Sequence, residues 1–116
     1  MVELDHIAII VSREENLKFY EKFGFVEKTR FKRSYDTVVF MESGGLVLEV
    51  FVDPRHPERA TNPEQNGLRH IAFRVDDFEK TVETFNCEPV RTDFFGKRFT
   101  FTKDPDGQPI EIKEAQ

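Results

Sequence analysis

Apolar residues run unbroken from Ile7 to Val11, and 64 positions after His6-Ile-Ala a second such run opens at His70-Ile-Ala. Behind each run the apolar period lengthens. Leu17, Tyr20 and Phe23 share a helical face in the first half, and Phe78, Val82 and Phe85 do so in the second. A period of two giving way to one near 3.6 predicts strand then helix. Ser12 and Asp76, each six residues after its histidine, are candidate helix caps. Glu15 and Glu79, three residues on, complete capping boxes. Gly24 is placed to stop the first helix. The expected elements of the first half are a strand at 3–11, a helix at 13–23 and strands at 25–32, 35–42 and 46–52. Those of the second half are a strand at 68–75, a helix at 77–86 and strands at 88–93, 98–103 and 109–113.

The ends of the halves match as well. Gly44-Gly45 and Asp106-Gly107 are hairpin-turn signals. Four residues after Gly45 comes Glu49, and four after Gly107 comes Glu111. The His-to-Glu separation is 43 residues in the first half and 41 in the second. The whole reads as an α+β chain of two βαβββ modules with curved sheets, residues 1–52 and 67–116 of one 1–116 domain. The Pro-rich, charged segment 53–66 connects them.

Strand alternation sorts the side chains into faces. Ile7, Ile9 and Val11 take the helix side, and His6, Ala8 and Ile10 the other. In the same way Ile71, Phe73 and Val75 oppose His70, Ala72 and Arg74. Glu49 lies between Leu48 and Val50, and Glu111 between Ile110 and Ile112, so both point away from the helices. A lone histidine in an apolar strand is most often a structural residue, and a lone strand glutamate a solvated one. Four such groups at equivalent positions of a repeat carry more weight. Two imidazoles and two carboxylates facing one concavity suit a borderline divalent metal. With no thiolate, a five- or six-coordinate site with open positions fits better than a closed structural one.

Composition narrows the partners. The chain has 116 residues and a formal charge of −5, with signs interspersed, a poor basis for nucleic-acid binding. Thirteen Phe and no Trp point to core or pocket lining. The single Cys87 excludes an internal disulfide. No apolar run approaches the roughly 20 residues that span a membrane. The first residues show no signal-like stretch, so a soluble cytoplasmic protein with no membrane partner is expected.

These phrases together resemble the glyoxalase/bleomycin-resistance/dioxygenase superfamily, the vicinal oxygen chelate proteins, over about residues 3–114. His-Ile-Ala, Gly67-Leu-Arg-His70-Ile-Ala-Phe73 and Asp104-Pro-Asp-Gly107 ahead of Glu111 carry the resemblance, and the segments 51–59 and 98–101 look closest to bacterial glyoxalase-like members. The resemblance implies His6, Glu49, His70 and Glu111 as metal ligands. One divalent metal per site is implied, zinc or nickel foremost, with cobalt, iron or manganese also fitting. Lyase or isomerase chemistry of glyoxalase I type is implied on a small substrate with neighbouring oxygens, with Glu111 as the usual base and Glu49 on the opposite face. It further implies a homodimer whose sites take His6 and Glu49 from one subunit and His70 and Glu111 from the other. Alternatives are a metal-independent sequestering protein of bleomycin-resistance type and a thiol transferase of fosfomycin-resistance type. The intact four-residue set speaks against the first, and the second would leave Glu49 superfluous.

The chain departs from glyoxalase I at two positions. That enzyme typically carries Arg four residues after the first His and Asn four after the first Glu to hold glutathione. Here Ile10 and Asp53 stand there, so glutathione adducts are expected to be poor substrates. Arg74, four after His70, is the pseudo-equivalent cation. His56 reads as a connector surface residue and Cys87 as a small buried one. Lys97-Arg98 reads as an exposed pair, or else one facing Glu111.

Overall fold

A computed structural model describes residues 1–115 and divides into two compact units, Met1–Pro57 and Glu58–Gln116. In the first unit β1 (Ile7–Val11) leads through a 3-10 turn at Glu14–Asn16 into α1 (Leu17–Glu21). Then come β2 (Val26–Lys32), β3 (Thr37–Ser43) and β4 (Leu46–Val52). In the second, β5 (Ile71–Val75) leads into α2 (Phe78–Thr84), followed by β6 (Arg91–Thr92), β7 (Arg98–Lys103) and β8 (Pro109–Glu114). Each unit is an open four-stranded sheet, ordered β1-β4-β3-β2 in one and β5-β8-β7-β6 in the other. The first strand of each pairs parallel with the last, and the other pairings are antiparallel. The repeated βαβββ order is therefore present.

Alternation decides what is buried. Val11, Met41, Leu48 and Val50 are fully or almost fully enclosed on the helix side of the first sheet, as is Tyr20 of α1. In the second, Phe73, Ile110, Ile112 and Phe78 of α2 fill the same role. Each such side chain contributes roughly 1.5–3 kcal/mol by leaving water. No helix among the described residues is long and apolar enough to cross a membrane.

Three expectations need correction. Ser12 does not cap the first helix. Arg13 holds the cap position in extended conformation without a side-chain cap bond, and the chain enters through a 3-10 turn before five α-helical residues. In the second unit the cap is Asp77, which accepts from the Lys80 amide, and not Asp76. Glu79 is drawn to Arg98 instead (2.7 Å). The strand expected at 88–93 shrinks to Arg91–Thr92. Pro89 has no amide hydrogen to donate, and buried Thr100 and Thr102 give their hydroxyls to the carbonyls of Glu88 and Asn86 in place of a full ladder. Gly24 does end the first helix, at φ +94°, where an L-side chain is strained.

Candidate functional site

Two hairpin turns deliver the glutamates. Gly44 and Gly45 turn between β3 and β4 at φ +54° and +84°. Between β7 and β8, buried Asp104 accepts from the amides of Asp106 and Gln108 at 2.9 Å, with Gly107 at φ +87°. Glu49 and Glu111 follow as single polar residues between buried aliphatics. The parallel pairings then fix their neighbours. Ala8 lies beside Glu49, and Ala72 beside Glu111. The antiparallel pairings set Phe40 opposite Glu49 and Phe101 opposite Glu111. Equivalent positions of the two units thus share one register, although the first unit has two more residues between His and Glu.

His6 and His70 sit immediately before the first residue of β1 and of β5, two residues ahead of the alanine. Nε2 of His6 lies 3.0 Å from Oε1 of Glu49. Nε2 of His70 lies 2.9 Å from Oε1 of Glu111. Each unit therefore brings its own predicted pair together on the face away from its helix. Among the described residues, no group of three or more His, Cys, Asp or Glu side chains is placed to hold a metal ion, so each pair by itself is a two-donor site.

The pairs differ behind the imidazole. Asp5 meets Nδ1 of His6 at 2.6 Å, and this bond, with Glu49 adding to it, holds the His6 imidazolium above the usual histidine range. Asp5 leaves Nε2 as the nitrogen directed at Glu49. A carboxylate behind a ligating imidazole fixes its tautomer and orientation. His70 has an edge-to-face contact with Phe101 instead, ring centres 4.9 Å apart. His70 and Glu111 open into a concavity of about 590 Å³, whose walls include Phe99, Phe101, Arg91 and Lys103.

The remaining sequence candidates fall elsewhere. Arg74 is exposed beside Lys113 and is not in the concavity wall. Arg98 points to the helix side, bonded to Glu114 and Glu79 and stacked over Phe78. His56 is paired with Asp53 at 3.2 Å. Cys87 is half-buried, and burial pushes its thiol up. Ile10 is half exposed on the Glu49 face. Asp53 is almost fully buried, and Arg55 grips both its oxygens at 2.8 Å, which holds its carboxyl well below the usual carboxylate range. It anchors the start of the connector and is not free to repel a substrate. Sequence reasoning passed over Asp5 and Arg91. Asp5 is signalled only by its adjacency to His6, and Arg91 by an alternation too short to read.

Known proteins share this sequence pattern and fold. The sequence profile of the Glyoxalase/Bleomycin resistance protein/Dioxygenase superfamily matches residues 3–112. The uncharacterized protein YwkD of Bacillus subtilis is 43% identical, with 96% of this chain and 95% of that protein covered. The crystal structure of a glyoxalase family protein from Enterococcus faecalis superposes with a TM-score of 0.88 at 36% identity, covering 97% of each chain. The E126Q mutant of the fosfomycin resistance protein FosX from Listeria monocytogenes, complexed with Mn(II) and a dihydroxypropylphosphonic acid, shares the fold. Its TM-score is 0.76 at 21% identity, with 100% of this chain and 94% of that chain covered. On its sequence match, its repeated sheets and its near-full-length relatives, the chain belongs to the glyoxalase/bleomycin resistance protein/dioxygenase superfamily.

Proposed function

We propose that this protein is a metal-dependent lyase or isomerase of glyoxalase I type, acting on a small substrate with neighbouring oxygens. The observation that carries the reading is the pair of His–Glu contacts, 3.0 and 2.9 Å, at identical register positions of two repeated units. Two donors about 2.1 Å from one ion and at right angles to each other stand about 3 Å apart, so both pairs have the spacing of neighbouring ligands. Nitrogen and carboxylate oxygen suit zinc, nickel, cobalt, iron or manganese, and FosX, of the same fold, holds Mn(II). His6, Glu49, His70 and Glu111 would hold the ion. The full set is completed in a homodimer, with His6 and Glu49 from one subunit and His70 and Glu111 from the other.

A bound divalent ion supplies Lewis-acid stabilisation of negative charge developing on a substrate oxygen. The chain's residues do the rest. Glu111 takes the proton from a hydroxyl-bearing carbon beside a carbonyl and delivers it to the carbonyl carbon, as a general base and then a general acid. The hydroxyl proton passes to the former carbonyl oxygen, so that the two carbons exchange oxidation level. Glu49 stands at the equivalent position of the other unit and serves the opposite face of the substrate. Phe40 and Phe101, directly across from the two glutamates, limit water around them. Asp5 holds His6 in the orientation its pairing requires.

The test is the metal content of the purified protein and of the alanine variants at His6, Glu49, His70 and Glu111. Each variant is expected to lose metal. Full occupancy in the His6→Ala, His70→Ala double variant refutes the reading.

A further inference from the structure

We infer that Arg91 is an anion anchor in the concavity of the second unit, selecting ligands with an anionic oxygen group beside an apolar, ring-sized group. The guanidinium lies over the Phe99 ring, 4.9 Å from its centre, and 6.0 Å from that of Phe101. Phe101 in turn touches His70. One ring therefore bridges the cation and the imidazole that pairs with Glu111.

Of the two arginines in the concavity wall, Arg69 and Arg91, Arg69 is bonded to Glu64 at 2.9 Å and Arg91 is set apart by what its donors do. Arg30, Arg33, Arg55, Arg59, Arg69 and Arg98 all spend their N–H groups on protein oxygens. In the first unit the register position matching Arg91 is Phe31, and the arginine near an aromatic ring there, Arg33, is bonded twice to Asp36 at 2.6 and 2.7 Å. Arg91 makes no side-chain hydrogen bond among the described residues. Its nearest acid, Glu88, stands 3.6 Å away, beyond hydrogen-bond distance. Of the other acids in the wall, Asp93 is paired with Lys113 at 2.7 Å, Glu64 with Arg69 at 2.9 Å and Glu111 with His70 at 2.9 Å. Lys103 lines the same concavity and makes no ion pair among the described residues, so its charge adds to the attraction for an anion. A guanidinium fork placed over an aromatic ring can present two N–H groups to a carboxylate or phosphonate.

The apolar half of the preference comes from the rim. Phe94 and Phe95 are both largely exposed and both line the concavity. They are held there by a closed turn in which Asp93 Oδ1 accepts from the amides of Phe95 and Lys97 at 2.8 and 2.9 Å. Two exposed rings on one side and a guanidinium without a hydrogen bond among the described residues on the other fit a ligand with one apolar and one anionic end.

That such a ligand is the substrate rests on the metal-enzyme reading above. The anion site itself does not, and the experiment separates the two. Phenylphosphonate is titrated calorimetrically into the full-length protein, once after EDTA treatment and once after zinc loading. Saturable binding is expected in both states. Arg91 is more than half exposed, so the loss on Arg91→Gln is expected near the lower end of what a charge-assisted bond gives, about tenfold. Arg91→Lys keeps the charge without the fork and is expected to fall between. Both variants should keep the wild-type zinc stoichiometry. Equal phenylphosphonate affinity in wild type and Arg91→Gln after EDTA, or no binding to the wild type, overturns the anion site. Arg91-dependent binding in a protein that takes up neither zinc nor nickel, cobalt, iron or manganese upholds the anion site and overturns the metal reading.

Discussion

Strand β8 carries core and candidate chemistry on opposite faces, and two single substitutions should separate them. Ile112 is fully buried and pairs with Phe73 on one side and Thr100 on the other. Ile112→Ala removes its outer carbons and leaves a cavity that a sheet interior cannot fully close. Such truncations cost about 2–5 kcal/mol. For a chain of this size each kcal/mol moves the melting temperature by about 4 °C, so a fall of roughly 8–20 °C is expected. Glu111 is one residue away, with its carboxylate partly open to the concavity. Glu111→Gln preserves shape and leaves an amide able to bond His70. Loss of a partly exposed ion pair costs at most about 1 kcal/mol, a shift of about 4 °C or less. Zinc uptake should show the opposite order. Glu111→Gln should weaken it at least about tenfold, since even partners behind a ligand are worth that much. Ile112→Ala, measured well below its melting temperature, should bind zinc nearly as the wild type does. Thermal melts and zinc titrations on the same preparations decide the matter. A Glu111→Gln melting loss equal to that of Ile112→Ala would show that the carboxylate supports the fold and that the two-face assignment is wrong.

Other consequences can be checked as directly. Lys113, with the amides of Lys97 and Phe95, holds the Asp93 carboxyl down to about 2. Its stabilising effect should be complete above the usual carboxylate range and be lost as pH falls through about 2, because the unfolded chain binds the proton first. The melting-temperature gap between wild type and Asp93→Asn should therefore be constant near neutral pH and close between about pH 4 and 2, and a gap unchanged at pH 2 contradicts the assignment. If sites are shared between subunits, co-refolding His6→Ala with His70→Ala chains should restore one intact site per mixed dimer and regain metal that neither variant holds alone; no regain argues for sites within one chain. With methylglyoxal and glutathione the zinc- or nickel-loaded protein should be a poor catalyst, and a kcat/KM near 10⁶ M⁻¹s⁻¹, within the usual range of efficient enzymes, would overturn the argument from Ile10 and Asp53.

The features legible in the sequence are those with a strict period or a fixed offset. A one-residue slip would put Glu49 or Glu111 into the core, so the alternation around them determines their face, and Gly-containing turns four residues upstream set the start of each strand. The helix starts were less legible because several residues near each start can serve as a cap. Asp76 and Asp77 are both cap-forming types, and backbone geometry selects the second. Asp5 escaped for a related reason. Within a strand, adjacent side chains point to opposite faces, yet His6 precedes β1, so its neighbour can reach back to the ring. Buried Asp53 depends on a local partner, Arg55, whose grip on both oxygens is a matter of rotamers that residue spacing does not encode.

The repeat has diverged unevenly, and the divergence bears on how the two halves divide the work. In the first unit the imidazole has a carboxylate behind it, and Arg33 is bonded twice to Asp36. These are features of a fixed site, with each polar group assigned to a protein partner. In the second, His70 has an aromatic edge in place of a carboxylate, Arg91 makes no side-chain hydrogen bond among the described residues, and two phenylalanines stand open at the rim. On the proposed reading, the first unit is specialised to hold its half of the metal site, while the second also recognises what binds there. Substitutions around Asp5 should then act mainly on metal uptake, and those around Arg91 on ligand choice with the metal retained.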